Sequence, residues 1–280
     1  MSRSRAPVRA GTFYPERPRE LEQTIRRYLA QVEPTEQTTD LLGLICPHAG
    51  YLYSGQTAAH GYGRLRDALA RGQSYELVVV LSPAHFAGIG RFMLTDASVY
   101  QTPLGDIPLD RSAVQALENE LSIQRIGFDS EHAIEVQLPF LQIVLDDFML
   151  LPLMIGAPSL SAGEELGQAL SKILADRKAL IVASSDLHHI ANYAEVSRRD
   201  AQVVDAIASM DMAVIKRVLA SRNCSVCGRV AIVAMLTAVV AAGANRVDVL
   251  HYTNSGDVTG NRVPGQYTVG YMAAAALREA

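Results

Sequence analysis

The sequence predicts an α/β protein, with one domain over residues 1–280 and a mostly parallel central sheet flanked by helices. Three observations carry this. Four near-continuous runs of Val, Ile and Leu, at 41–47, 76–83, 148–156 and 179–186, have the pattern of strands buried on both faces. Helix-like segments separate them, so parallel crossovers follow. Hydrophobic residues make up 49% of the chain and charged residues 19%, enough apolar material for a large core and too much for a disordered chain.

Taken in order, residues 17–32 place Leu21, Ile25, Leu29 and Val32 at helical spacing and predict an amphipathic helix. The polar segment EPTEQTTD reads as a loop. The first buried strand, LLGLICP, runs into the motif PHAGYLYSG, and a helix follows at 54–72. Further helices are expected at 110–121, 131–147, 161–177, 193–211 and 228–243. Two more strands close the chain at 245–258 and 265–276. No repeat, low-complexity tract or linker divides it.

Composition excludes several classes. The net charge of −4 and the lack of a basic run leave no footprint for nucleic acid. No stretch reaches the roughly 20 apolar residues needed to cross a bilayer, and the N-terminus lacks the apolar core of a secretory signal. Three cysteines, an odd number, argue against a disulfide framework. A cytoplasmic protein with no membrane and no nucleic-acid partner is expected.

Three buried runs finish alike, at His48, at His85, and at Asp186 with His188 and His189. The C-terminal ends of parallel neighbours converge on one edge of a sheet, where α/β proteins place their chemistry. A loop histidine bonded to backbone accounts for any one of these, but repetition at three strand ends points to a metal site or an acid/base cluster. Glu131, Glu135 and Leu138 would share one stripe of the 131–147 helix, with His132 beside Glu131; early acidic residues also suit a helix dipole. Cys224 and Cys227 form a C-x-x-C without the second ligand pair of a structural zinc site. Two inert thiols, or one thiolate at a helix N-terminus with its pKa lowered by the dipole, remain; Cys227, before Gly228 and the helix, is the better placed. His60 and His251 read as packing or surface residues. Ser255, Gly256 and Asp257 either line the same edge or simply form a turn.

Together these motifs resemble the Memo family, whose bacterial and archaeal members are also called AmmeMemoRadiSam system protein B. The stretches RAGTFYP, PHAGYLYSG, SPAH, TPLGDIPLD, EHAIEVQLPFLQ, SSDLHH, CGR and YTNSGDVTG carry the resemblance across nearly the whole chain. It implies a fold similar to the class III extradiol ring-cleavage dioxygenases, LigB-like non-haem iron enzymes. It further implies a mononuclear metal site of two histidines, His48 and His85, with Cys227 where the dioxygenases have a glutamate. His189 looks similar to their catalytic histidine, with Asp186 positioned to orient it, and His132 would line the same pocket. A thiolate ligand favours iron or copper with a redox role. The system name implies a radical SAM enzyme and an AMMECR-domain protein as partners. Two functions follow as expectations: a metal-dependent oxidoreductase that does not necessarily cleave rings, or a non-enzymatic pocket binding a small molecule, peptide or partner protein. The chain departs from the family pattern at Ala84, at His188 in place of a common serine, at Ile190 and at Ala231.

Overall fold

The computed structural model describes residues 3–86 and 90–279. The chain opens with a short strand β1 (Ser4–Arg5) and helix α1 (Pro18–Leu29), whose buried face is Leu21, Ile25 and Leu29. Strand β2 (Asp40–Cys46), helix α2 (Tyr51–Ala70) and strand β3 (Leu77–Pro83) follow. Four short strands and a helix come next: β4 (Phe92–Thr95), β5 (Val99–Thr102), β6 (Gly105–Pro108), α3 (Arg111–Glu120) and β7 (Gln124–Ile126). A 3-10 turn (Glu135–Gln137) leads into α4 (Leu138–Val144), β8 (Met149–Ile155), α5 (Leu160–Ile173) and β9 (Ala179–Ser184). The rest is β10 (His189–Ile190), α6 (Tyr193–Ala208), α7 (Met212–Leu219), α8 (Arg229–Ala241), β11 (Arg246–Asn254), α9 (Ser255–Thr259) and β12 (Thr268–Arg278).

The main sheet runs β10-β12-β2-β9-β3-β8-β4-β7, with β11 also paired to β12. Its centre is parallel: β2 pairs β9, β9 pairs β3, and β3 pairs β8. Antiparallel pairs flank that centre, β12 on β2 and β4 on β8, so the whole sheet is mixed. The four apolar runs are its four central strands, buried from both sides as their composition requires. One face packs against α5 and α8 in a core that includes Leu166, Ile232 and Met235. The other packs against α1, α2 and α4 around Tyr62, Phe140 and Leu44. Gly61 lets α2 lie close on β2, since a Cβ there would stand 2.7 Å from Cys46 Sγ.

Two expected elements differ. The helix over 131–147 begins only at Leu138, with Pro139 in its first turn, a position that suits a residue without an N–H. Glu131 and His132 therefore precede the helix and share no helical stripe with Glu135 and Leu138. The strand expected through residue 258 stops at Asn254, whose side chain caps α9 by accepting from Asp257 N–H. No helix among the described residues is long and apolar enough to cross a membrane.

Candidate metal centre

Parallel pairing brings the ends of β2, β9 and β3 side by side, with Cys46 opposite Ser184 and Leu81 opposite Ala183. The loops leaving these ends carry His48, His85 and the segment from Ser185 to His189. Cys227 arrives from the far side of the sheet, just before α8. Its approach depends on Gly228, where a Cβ would meet Ser184 O at 2.5 Å and the Ser185 side chain at the same distance. The CGR motif thus presses a thiol onto a strand end.

Donor atoms of His48, His85 and Cys227 all lie within 4.8 Å of one another. His48 Nε2 and Cys227 Sγ are 3.3 Å apart. Two such donors sharing one tetrahedrally coordinated ion, at about 2.0 Å from nitrogen and about 2.3 Å from sulfur, stand about 3.5 Å apart. The residues therefore fit a metal ion, and the remaining ligand positions would stay open.

The hydrogen bonds around His48 fix its tautomer. Ser184 Oγ spends its one proton on Ala133 O, at 2.7 Å. It accepts from Gln137 Nε2 at 2.8 Å, an amide whose orientation is set by Pro47 O on one side and the Tyr62 hydroxyl on the other. His48 Nδ1, 2.9 Å from the same oxygen, must then be the donor. That leaves Nε2 with its lone pair turned to the cluster. Burial, with repulsion from His85 and His189, holds the His48 pKa well below its ordinary value, so the ring is neutral.

Cys227 is less simple. The sequence predicts a thiol pKa lowered by the helix dipole; instead burial and the nearby Asp186 carboxylate push it up. Its sulfur nonetheless accepts the Asp186 N–H at 3.2 Å. Such a thiol holds its proton until a cation replaces it, as metal-ligating cysteines do.

A second group was not read from the sequence. His85, Glu131 and His132 also bring donor atoms within 4.8 Å of one another. Glu131 Oε2 is 3.5 Å from His85 Nδ1, within ion-pair distance. His132 stacks on His85 at 4.7 Å and meets His48 edge-on at 5.4 Å. Burial, together with those two rings, lowers its pKa to about 3. His132 Nδ1 and His189 Nε2 are buried without a hydrogen-bond partner. The sequence marks Glu131 as a candidate beside His132, but only the three-dimensional contact brings it to His85.

Among the residues expected to act on substrate, His132 and His189 join this cluster. Burial also lowers the His189 pKa. Asp186 does not hydrogen-bond His189 as expected. Its carboxylate accepts the backbone N–H groups of His48, at 2.8 Å, and of Ala49, and so fixes the PHAG turn. His188 points away, to Asp200, at 2.8 Å from its Oδ1. His60 and His251 stack on each other at 4.3 Å, a packing role. Ser255 accepts the Val269 N–H, and Asp257 bonds Tyr193, so that turn is structural.

The wall bearing Glu131 is tied to the N-terminus. Arg5, almost wholly buried, donates to Asp129, Glu135 and the Glu131 carbonyl. Tyr14 Oη donates to Glu135 at 2.6 Å, and the N–H groups of Val8 and Arg9 complete its shell.

A family model described as Memo-like protein matches residues 5–275. MEMO1 family proteins of Methanosarcina mazei and Thermotoga neapolitana are 37% and 34% identical over 273 and 284 residues. Each alignment covers 96% of this chain, with 97% and 98% of the relative. A crystal structure of an uncharacterized protein from Escherichia coli K12 shares the fold, with a TM-score of 0.54 at 13% identity. It covers 85% of this chain and all of its own. With the match spanning nearly every element that builds the cluster, the chain belongs to the Memo family.

Proposed function

We propose that this Memo-family protein is a metal-dependent oxidoreductase with one mononuclear site, in which His48, His85 and Cys227 hold the ion. The observation that carries this is the bare Nε2 of His48 facing Cys227 Sγ at 3.3 Å. Two imidazoles and one thiolate are a soft, electron-rich set that favours iron or copper. When bound, such an ion would supply electron transfer and Lewis acidity at its open positions.

The chain's own groups do the rest. Ser184 and Gln137 hold His48 in the ligating tautomer, and Asp186 holds its backbone. Glu131 sets the His85 ring. His189 is the general acid/base: a neutral imidazole at pH 7 whose Nε2 is left for a substrate proton. His132 offers Nδ1 in the same way. Phe86 and Tyr267, each 58% exposed, stand 6.1 Å from His132 and 6.2 Å from His189, and favour an aromatic or apolar substrate.

Those exposed rings also favour a second reading, a pocket that docks a peptide or partner protein without turnover. A radical SAM enzyme and an AMMECR-domain protein are the candidate partners. Three free thiols suit a reducing cytoplasm.

Elemental analysis and electron paramagnetic resonance on anaerobically purified protein test the assignment. About one redox-active ion per chain is expected, with no stable binding in Cys227→Ser. A wild-type chain that takes up neither iron nor copper would leave the docking reading.

A further inference from the structure

The N-terminal segment that walls the cluster carries two arginines in contrasting surroundings. Arg5 is saturated: it donates to Asp129, to Glu135 and to the Glu131 carbonyl. Arg9 is not. Its partly buried guanidinium lies over two rings at once, with Cζ 5.4 Å from the centre of Phe13 and 5.3 Å from that of Phe86. Its Nε is buried without a hydrogen-bond partner, and no carboxylate pairs with it among the described residues. Glu135 is already spent, since it accepts from Arg5, from Tyr14 and from the backbone N–H groups of Val8 and Arg9 itself.

The same two rings border the candidate metal centre. Phe13 meets His132 edge-on at 5.0 Å, and Phe86 stands 6.1 Å from His132 and 6.3 Å from His85. Arg9 is thus one ring away from the cluster. Its backbone is pinned there: Arg9 N–H donates to Glu135 Oε1 at 2.8 Å, Arg9 O accepts from Phe13 N–H at 2.9 Å, and Phe13 O accepts from Tyr51 N–H at 2.7 Å. An aromatic face attracts a guanidinium through the ring quadrupole and uses none of its N–H donors. The planar fork, whose geometry matches two oxygens of one anion, is therefore held in place and left unspent. A buried donor without an acceptor is unfavourable in the free protein, and an arriving anion relieves that cost.

We propose that Arg9 is a specificity-determining residue of this pocket and that the ligand is an aromatic or apolar monocarboxylate, its carboxylate on the Arg9 fork and its body against the exposed Phe86 ring. The proposal rests on reading the cluster as a ligand pocket, and not on which ion it holds. A single negative charge is the best match. Arg9 offers one positive charge, while Glu131 and Asp186 already place carboxyl groups at the cluster. A phosphate dianion would meet repulsion there that a carboxylate largely escapes. With its charge held at Arg9, the ligand presents its neutral end to His132 and His85.

The test is titration calorimetry on the full chain, kept in chelator so that no ion competes for the carboxylate. The probes are phenylacetate, its neutral isostere phenylacetamide, and phenyl phosphate. Phenylacetate is expected to bind at least tenfold more tightly than phenylacetamide. Arg9→Gln, checked for a native thermal transition, should remove that preference. Arg9→Lys, which keeps the charge and loses the fork, should retain part of it. Equal affinity for phenylacetate and phenylacetamide, no binding of either, or a preference unchanged in Arg9→Gln would each overturn the proposal. Tighter binding of phenyl phosphate than of phenylacetate would overturn the monocarboxylate. Because the chelated chain is used, a failure here leaves the metal assignment standing, and a chain that takes up no iron or copper can still pass.

Discussion

His188 and His189 are neighbours in sequence and opposites in chemistry. His189 turns to the candidate metal centre, where burial lowers its pKa and its Nε2 has no hydrogen-bond partner. His188 turns the other way onto a buried carboxylate that raises its pKa to about 9 despite burial. Consecutive residues of an extended segment face opposite sides. One dipeptide after β9 therefore faces the candidate metal centre on one side and a buried carboxylate on the other. Burial alone decides little; what decides the proton is whether a fixed acceptor is provided.

The comparison can be broken most forcefully through stability. His188→Ala strands the Asp200 carboxylate in the interior, and removing one partner of a buried ion pair costs about 3–5 kcal/mol. His189→Ala, which removes no hydrogen-bonded ring, should cost about 1 kcal/mol. Denaturant unfolding of the two variants side by side checks this; equal losses would mean the Asp200 pair is not special.

Metal content separates the two cysteines next. Cys227→Ser should lower metal affinity more than about 100-fold, since losing a ligand exceeds the roughly 10–100-fold effect of losing a supporting group. Cys224→Ser should leave it unchanged. Glu131→Gln should behave as a supporting change, about tenfold; a larger loss than in Cys227→Ser would move the ion to the His85, Glu131 and His132 group.

A smaller effect is expected from Ser184→Ala, which frees His48 to take either tautomer. About a tenfold loss of metal affinity is expected with little change in unfolding midpoint. Unaltered affinity would remove the hydroxyl from the account.

The mildest test is pH. Because the folded pKa of His189 is depressed, the unfolded chain binds its proton first, and stability falls as pH drops below about 6.5. For His188 the sign reverses: its contribution is complete below about 6.5 and is lost as pH rises through about 9. Thermal midpoints recorded from pH 5 to 9.5 in the presence of a chelator should decline toward both ends, and His188→Gln should flatten the alkaline decline alone.

Much of this was legible in the sequence. The four central strands announce themselves because burial on both faces leaves polar residues only near their ends, at Asp40, Ser82 and Ser184, and the three histidine-bearing ends follow. The strands β4 to β7 do not, being only three or four residues long, and β5 to β7 have mixed burial as well. The false helix start at 131 has a long-range cause: Glu135 is held by Arg5, Tyr14, Val8 and Arg9, more than 120 positions away. No local pattern reports that. Likewise Cys224 and Cys227 look alike in the C-x-x-C, and only the close approach at Gly228 brings one of the two sulfurs, that of Cys227, to His48.

The 179 positions between His48 and Cys227 bear on when the site comes into being. Contacts of such separation form late, because the intervening chain must first be ordered. As the chain leaves the ribosome, His48 and His85 emerge long before β9 pairs β2 and α8 seats its thiol. An ion that met the nascent chain would find two imidazoles and no sulfur. The soft, three-ligand set exists only after folding, so loading is expected to be a separate step from synthesis, with its own donor and its own clock.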